Sequence, residues 1–92
     1  MKTYSDLQNE LLRKGAILEN SIHGVYDDSM NMHRLIRYEL SNEQEYKNWL
    51  EKAQVFIYEN RKDPAQYDEF MELKSFISPQ HHRSIMAIIN SL

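Results

Sequence analysis

A chain of 92 residues, 41% hydrophobic with six Tyr, three Phe and one Trp, has apolar surface enough for one small core and too much for a disordered tail. It lacks cysteine, which excludes a disulfide framework and a thiolate metal site and suits the cytoplasm. Its net charge of −3 is too weak for a nucleic-acid mimic and of the wrong sign for the basic footprint of a nucleic-acid binder.

The acidic excess lies in the first half. Residues 1–46 carry five basic and eight acidic side chains, and residues 47–92 carry six of each. The opening MKTYSDLQNELLRKG lacks the unbroken apolar stretch of a signal peptide. No run approaches the roughly 20 apolar residues of a membrane span. A soluble, unprocessed chain is expected.

Taken in order, the chain reads as five helices. Tyr4, Leu7, Leu11, Leu18, Ile22 and Val25 fall at steps of three, four and seven, which stacks them on one helix face. Gly15 shares that face, where the absence of a side chain lets another helix approach. Gly24 suits the left-handed position that ends a helix, giving a first helix over 5–23. Asp27, Asp28 and Ser29 form a turn and an N-cap for a second helix over 29–40, with Met32, Leu35, Ile36 and Leu40 inward.

Ser41-Asn42-Glu43-Gln44 has the spacing of a capping box and opens a third helix over 42–61. Its apolar side is Tyr46, Trp49, Leu50, Ala53, Phe56 and Ile57. Within it, Val55-Phe56-Ile57-Tyr58 suits a strand in isolation, but the periodic stripe before it favours helix. Asp63-Pro64 and Ser78-Pro79 each set a side-chain acceptor ahead of a proline that has no amide to satisfy. They start a fourth helix over 64–77 (Phe70, Leu73, Ile77 inward) and a fifth over 79–91 (Ile85, Ile88, Ile89, Leu92 inward). The fold class this implies is all-α, a compact single-domain bundle.

No catalytic or cofactor signature emerges. Glu19 and His23 stand four apart, but a dinuclear bundle site needs Glu-x-x-His on two helices with further glutamates opposite. His23 reads instead as a last-turn residue meeting the helix dipole. His81 and His82 point about 100° apart; His81 is placed beside the core and His82 nearer to solvent, while His33 sits on the margin of the second helix. There is no nucleophile elbow and no glycine-rich phosphate loop. An enzyme, a metal centre and a bound cofactor are all disfavoured.

Surfaces say more. On the second helix Met30, Arg34, Arg37 and Tyr38 share the outward face, and Arg and Tyr are enriched at binding hot spots. A second candidate patch joins Val55, Tyr58, Tyr67 and Met71, apolar residues outside the core stripes of the third and fourth helices. The tail FMELKSFISPQHHRSIMAIINSL resembles in rhythm the helical extensions of some helix-turn-helix phage-type repressors. The DNA-reading unit that should precede such an extension is not recognisable here, so no family is assigned.

The reading that follows is a non-enzymatic helical module that binds and modulates a larger protein partner. An inhibitor or adaptor fits, of the kind phages and mobile elements direct at host or defence machinery. The alternative is a small dimeric DNA-binding regulator using Arg34 and Arg37. Homo-oligomers are compatible with either.

Overall fold

The computed structural model describes residues 4–28 and 33–92 and differs from a five-helix bundle. Four helices pack with a two-stranded antiparallel sheet. They are α1 (Tyr4–Leu18), α2 (Glu43–Asn60), α3 (Pro64–Lys74) and α4 (Pro79–Ser91). The strands β1 (Ile22–Asp27) and β2 (Arg34–Leu40) form a hairpin. The fold is therefore mixed, and two expectations fall. The first helix stops five residues short of His23, and the segment expected as a helix over 29–40 is a strand from Arg34 onward.

Local chemistry explains both corrections. Leu18 leads into a 3-10 turn, Glu19–Ser21, where the Ser21 hydroxyl donates to the Leu18 carbonyl at 2.7 Å. Beyond it, Ile22, Val25 and Tyr26 in β1 and Ile36 and Tyr38 in β2 are β-branched or aromatic, residue types that pack well on a pleated surface. Gly24 is no helix cap. It lies in β1, where a Cβ would come within 2.8 Å of the Tyr26 ring and 3.1 Å of Leu35, so the ring covers the glycine. Ile22 pairs with Leu40 and Val25 with Arg37. The register then shifts, so that Tyr26 pairs with Leu35 and Ile36 is left as the extra residue of a bulge in β2.

The proline-marked starts form as their residues dictate. The Asp63 carboxylate accepts from the Ala65 amide at 2.9 Å, and the Gln66 side chain closes the capping box on the Asp63 amide. The Ser78 hydroxyl accepts from the His81 amide at 3.1 Å. Ser41, by contrast, caps nothing. Asn42 precedes α2 without a side-chain cap, and Ser41 instead extends the hairpin ladder, its amide donating to the Ser21 carbonyl at 2.9 Å.

The core lies among the four helices, with Ile22 at the hairpin root. Tyr46, Trp49, Ala53, Phe56 and Ile57 bury one side of α2 against Leu11 and Leu18 of α1, Phe70 of α3, and Ile85, Ile88 and Ile89 of α4. Contacts fix the helix directions. Along α1, Gln8 donates to the Ile89 and Leu92 carbonyls and Gly15 meets His82, so α1 and α4 run antiparallel. Trp49 meets Leu11 and Glu45 meets Lys14, so α1 and α2 are antiparallel too. The hairpin touches the helices at its root through Ile22, Tyr38 and Leu40, and the whole molecule extends 55 × 26 × 18 Å.

Candidate functional site

Two carbonyls on one face of α1 decide where that helix sits. Trp49 Nε1–H donates to the Leu11 carbonyl at 2.9 Å, and one turn later His82 Nε2–H donates to the Gly15 carbonyl at 2.7 Å. With Nε2 carrying its proton, His82 Nδ1 is an acceptor, and the Tyr46 hydroxyl donates to it at 2.5 Å. The rings of Tyr46, Trp49 and His82 lie with centroids 5.1 to 5.7 Å apart. His82 is thus a core residue, not the more exposed member of the histidine pair. Burial pulls its pKa below the ordinary histidine value, so at neutral pH it is the uncharged imidazole that this network requires. Burial, with Glu19 adding to it, pushes the Tyr46 hydroxyl well above its usual range.

Gly15 makes the close approach that its position on the stripe implies. A Cβ there would lie 2.3 Å from the Met86 sulfur and 2.7 Å from the Trp49 ring. Both ring nitrogens of His82 are occupied by protein partners in the core. This node clamps α1 to α2 and α4, and it offers no substrate an approach to the imidazole.

Held in this way, α1 leaves a groove of about 760 Å³ between itself and α2. Its floor is Leu11, Trp49 and Phe56, all buried. Its lips are apolar and exposed: Leu7 at 42%, Ile17 at 61% and Val55 at 56%. Outside them stand Glu10, Arg13 and Lys14 on α1 and Glu51, Lys52 and Glu59 on α2, three acids and three bases. From Leu7 to Ile17 the groove follows α1 for about 15 Å, at about 1.5 Å per residue.

The sequence-derived face on residues 29–40 is dismantled by the strand. Met30 lies outside the described residues. Arg34 pairs in register with Asp27, and Arg37 with Val25, which puts both arginines on one face of the hairpin. Tyr38 lies opposite Gly24 on the other face and packs toward the core. Arg37 is also bound within its own strand, Nη2 to Glu39 Oε1 at 2.8 Å. Of the three described residues, the two arginines therefore share a face and Tyr38 lies on the opposite one.

The second patch divides. Val55 belongs to the groove beside α1. Tyr58, Tyr67 and Met71 lie on the α3 side, where the Tyr58 and Tyr67 rings meet edge-on at 5.3 Å and the Arg61 guanidinium covers Tyr58 at 4.1 Å. Tyr67 and Met71 are half-buried against the core. The remaining histidine expectations also move. His23 lies in β1, and Glu19 pairs with Arg83 at 2.7 Å. Among the described residues no three carboxylates or histidines gather at a point that could hold a metal ion.

Sequence reasoning missed the groove because it assigned Leu7 and Leu11 to one buried stripe. Ile17 was the available signal: it is apolar and lies outside that stripe. Comparison with known protein families, characterised proteins and solved structures finds no match to this chain. No helix among the described residues is long and apolar enough to cross a membrane.

Proposed function

We propose that this chain is a non-enzymatic protein-recognition module that docks an amphipathic helix of a larger protein in the α1–α2 groove, acting as an inhibitor or adaptor. The observation that carries the proposal is the exposure of Leu7, Ile17 and Val55 above a buried aromatic floor. Such a surface loses water favourably when an apolar helix face is laid into it, the familiar helix-in-groove mode. The balanced rim favours a protein segment of mixed charge over a polyanion. On the hairpin, Asp27 and Glu39 accompany Arg34 and Arg37, which argues against the alternative of a DNA-binding regulator. The absence of cysteine suits a reducing compartment, so the cytoplasm is the proposed site of action.

The test is selection from a displayed library of short helical peptides. Binders should be enriched in apolar residues at i, i+3, i+4 and i+7 and should alter the fluorescence of Trp49, the sole tryptophan. The pair Ile17→Glu and Val55→Glu, both at exposed positions, should abolish binding and leave the melting temperature nearly unchanged. Binders indifferent to that pair, or no enrichment at all, would overturn the assignment.

A further inference from the structure

The hairpin has two edges of unequal quality. β2 is broken by the bulge at Ile36 and carries Arg34 and Arg37, features that protect an edge from pairing. β1 is regular over six residues, with no bulged residue, proline or lysine. Its hydrogen-bonding groups can be assigned from the ladder. The Ser41 amide donates to the Ser21 carbonyl, and 21 opposite 41 continues the register of Ile22 opposite Leu40. Residues 21, 23 and 25 therefore turn their backbone groups inward, and Ile22, Gly24 and Tyr26 present theirs outward. A two-stranded ribbon is marginal alone and needs further strands or packing against helices, and this one packs on the helices only at its root. This one still exposes Tyr26 at 47% and Leu35 at 40% near its tip.

We propose that β1 pairs antiparallel with β1 of a second copy of this chain, about a two-fold axis at Val25, to form a four-stranded sheet. With the axis there, Gly24 faces the partner's Tyr26 in the hydrogen-bonded positions, so the outward amides and carbonyls of both strands are satisfied. His23 faces the partner's Asp27, an acceptor opposite an imidazole. Val25 faces its own counterpart. The root of each hairpin then lies beside the tip of the other, which sends the two helical bodies to opposite ends. The elongated shape and the confinement of helix contacts to the hairpin root leave room for this. This proposal is independent of the groove, which lies on other elements.

The axis makes residue 25 diagnostic. In a non-hydrogen-bonded pair the two Cα atoms are about 4.5 Å apart, inside the range of about 4.4 to 6.8 Å that a disulfide accepts. In this cysteine-free chain, Val25→Cys should cross-link into a covalent dimer on mild oxidation, whereas Ile36→Cys, on the bulged strand, should not. Val25→Glu should weaken association by about a hundredfold, since like charges set face to face across an interface oppose it strongly. Within one copy it stands opposite Arg37, so the hairpin keeps its fold, as circular dichroism will report. Analytical ultracentrifugation of the unmodified chain should show a dimer. A monomer at every concentration reached, a dimer that survives Val25→Glu, or cross-linking through Ile36→Cys in place of Val25→Cys would each overturn the proposal.

Discussion

Replacing His82 with phenylalanine keeps a ring in the core and removes both nitrogen functions at once. The Gly15 carbonyl loses a donor, for which about 1 kcal/mol is a fair net value, and the Tyr46 hydroxyl is left buried without an acceptor, costing about 1–3 kcal/mol more. His82→Phe should therefore destabilise by about 2–4 kcal/mol. A chain of this length has a total stability of about 5–14 kcal/mol at roughly 0.05–0.15 kcal/mol per residue, so the loss is a large fraction of the whole. Tyr46→Phe alone orphans the imidazole Nδ1 and should cost about 1–3 kcal/mol. The double variant buries no orphan at this contact, because an apolar pair of similar shape replaces both partners. The orphan cost therefore disappears from both, and the two single costs should together exceed that of the double by about 2 kcal/mol or more.

The same node fixes a pH dependence. Burial holds the folded-state pKa of His82 below its unfolded value of about 6.5. The unfolded chain thus binds the proton more readily, and stability rises with pH wherever the unfolded state holds more protons. The contribution of His82 is complete above about pH 6.5 and is lost as acid drives the pH down toward the folded-state pKa, where the loss levels off. Urea denaturation followed by Trp49 fluorescence across this range should show the acid-side decline in the natural chain and a shallower one in His82→Phe. Additivity of the two single variants within about 0.5 kcal/mol, or equal acid sensitivity in the His82→Phe variant, would refute the tautomer and the clamp assigned to it.

Three further outcomes follow from the packing. Gly15→Ala gains up to about 1 kcal/mol in helix propensity, but its methyl meets Met86 at 2.3 Å and Trp49 at 2.7 Å, so a thermal melt should show net destabilisation of about 1–2 kcal/mol from overpacking. Trp49→Ala, at a 3% exposed position, should cost about 3–5 kcal/mol by the same measurement. Ser78→Ala removes the α4 cap and should cost about 1 kcal/mol, with far-UV circular dichroism retaining a mainly helical spectrum.

The helices were legible where local chemistry and periodicity agreed. Asp63-Pro64 and Ser78-Pro79 mark their starts by hydrogen bonds that any tertiary context preserves, and the Tyr46 to Ile57 stripe is long enough to hold its phase. Residues 22–40 deceived because Leu18, Ile22 and Val25 happen to continue a three-and-four spacing across a change of structure. In β2 the bulge hides the alternation a strand should show: Leu35 and Ile36 stand side by side, and Arg34 and Arg37, at an odd separation, reach one face. Gly24 looked like a helix terminus because its true reason, the Tyr26 ring lying over it, depends on the hairpin itself. His82 was misplaced for a related cause. Its burial is set by Tyr46 and Gly15, residues 36 and 67 positions away, and no local pattern announces them.

The groove and the β1 edge are distinct surfaces, and their energetics can be separated by measurement. Ile17 and Val55 lie on α1 and α2, Val25 lies in β1, and the hairpin reaches the helices through Ile22, Tyr38 and Leu40. Substitutions at distant sites without shared partners act additively within about 0.5 kcal/mol. Val25→Glu should therefore dissociate the dimer and leave peptide binding in the groove unchanged, while Ile17→Glu with Val55→Glu should do the reverse. A dimer retains two grooves, one near each end of the assembly, and a partner presenting two helices gains from that pairing by effective concentration. Joining two selected peptides by a flexible linker long enough to span the dimer should raise their affinity for the natural chain and give no gain with Val25→Glu. An equal gain with both would mean that the grooves do not act as a pair and that the sheet does not join them.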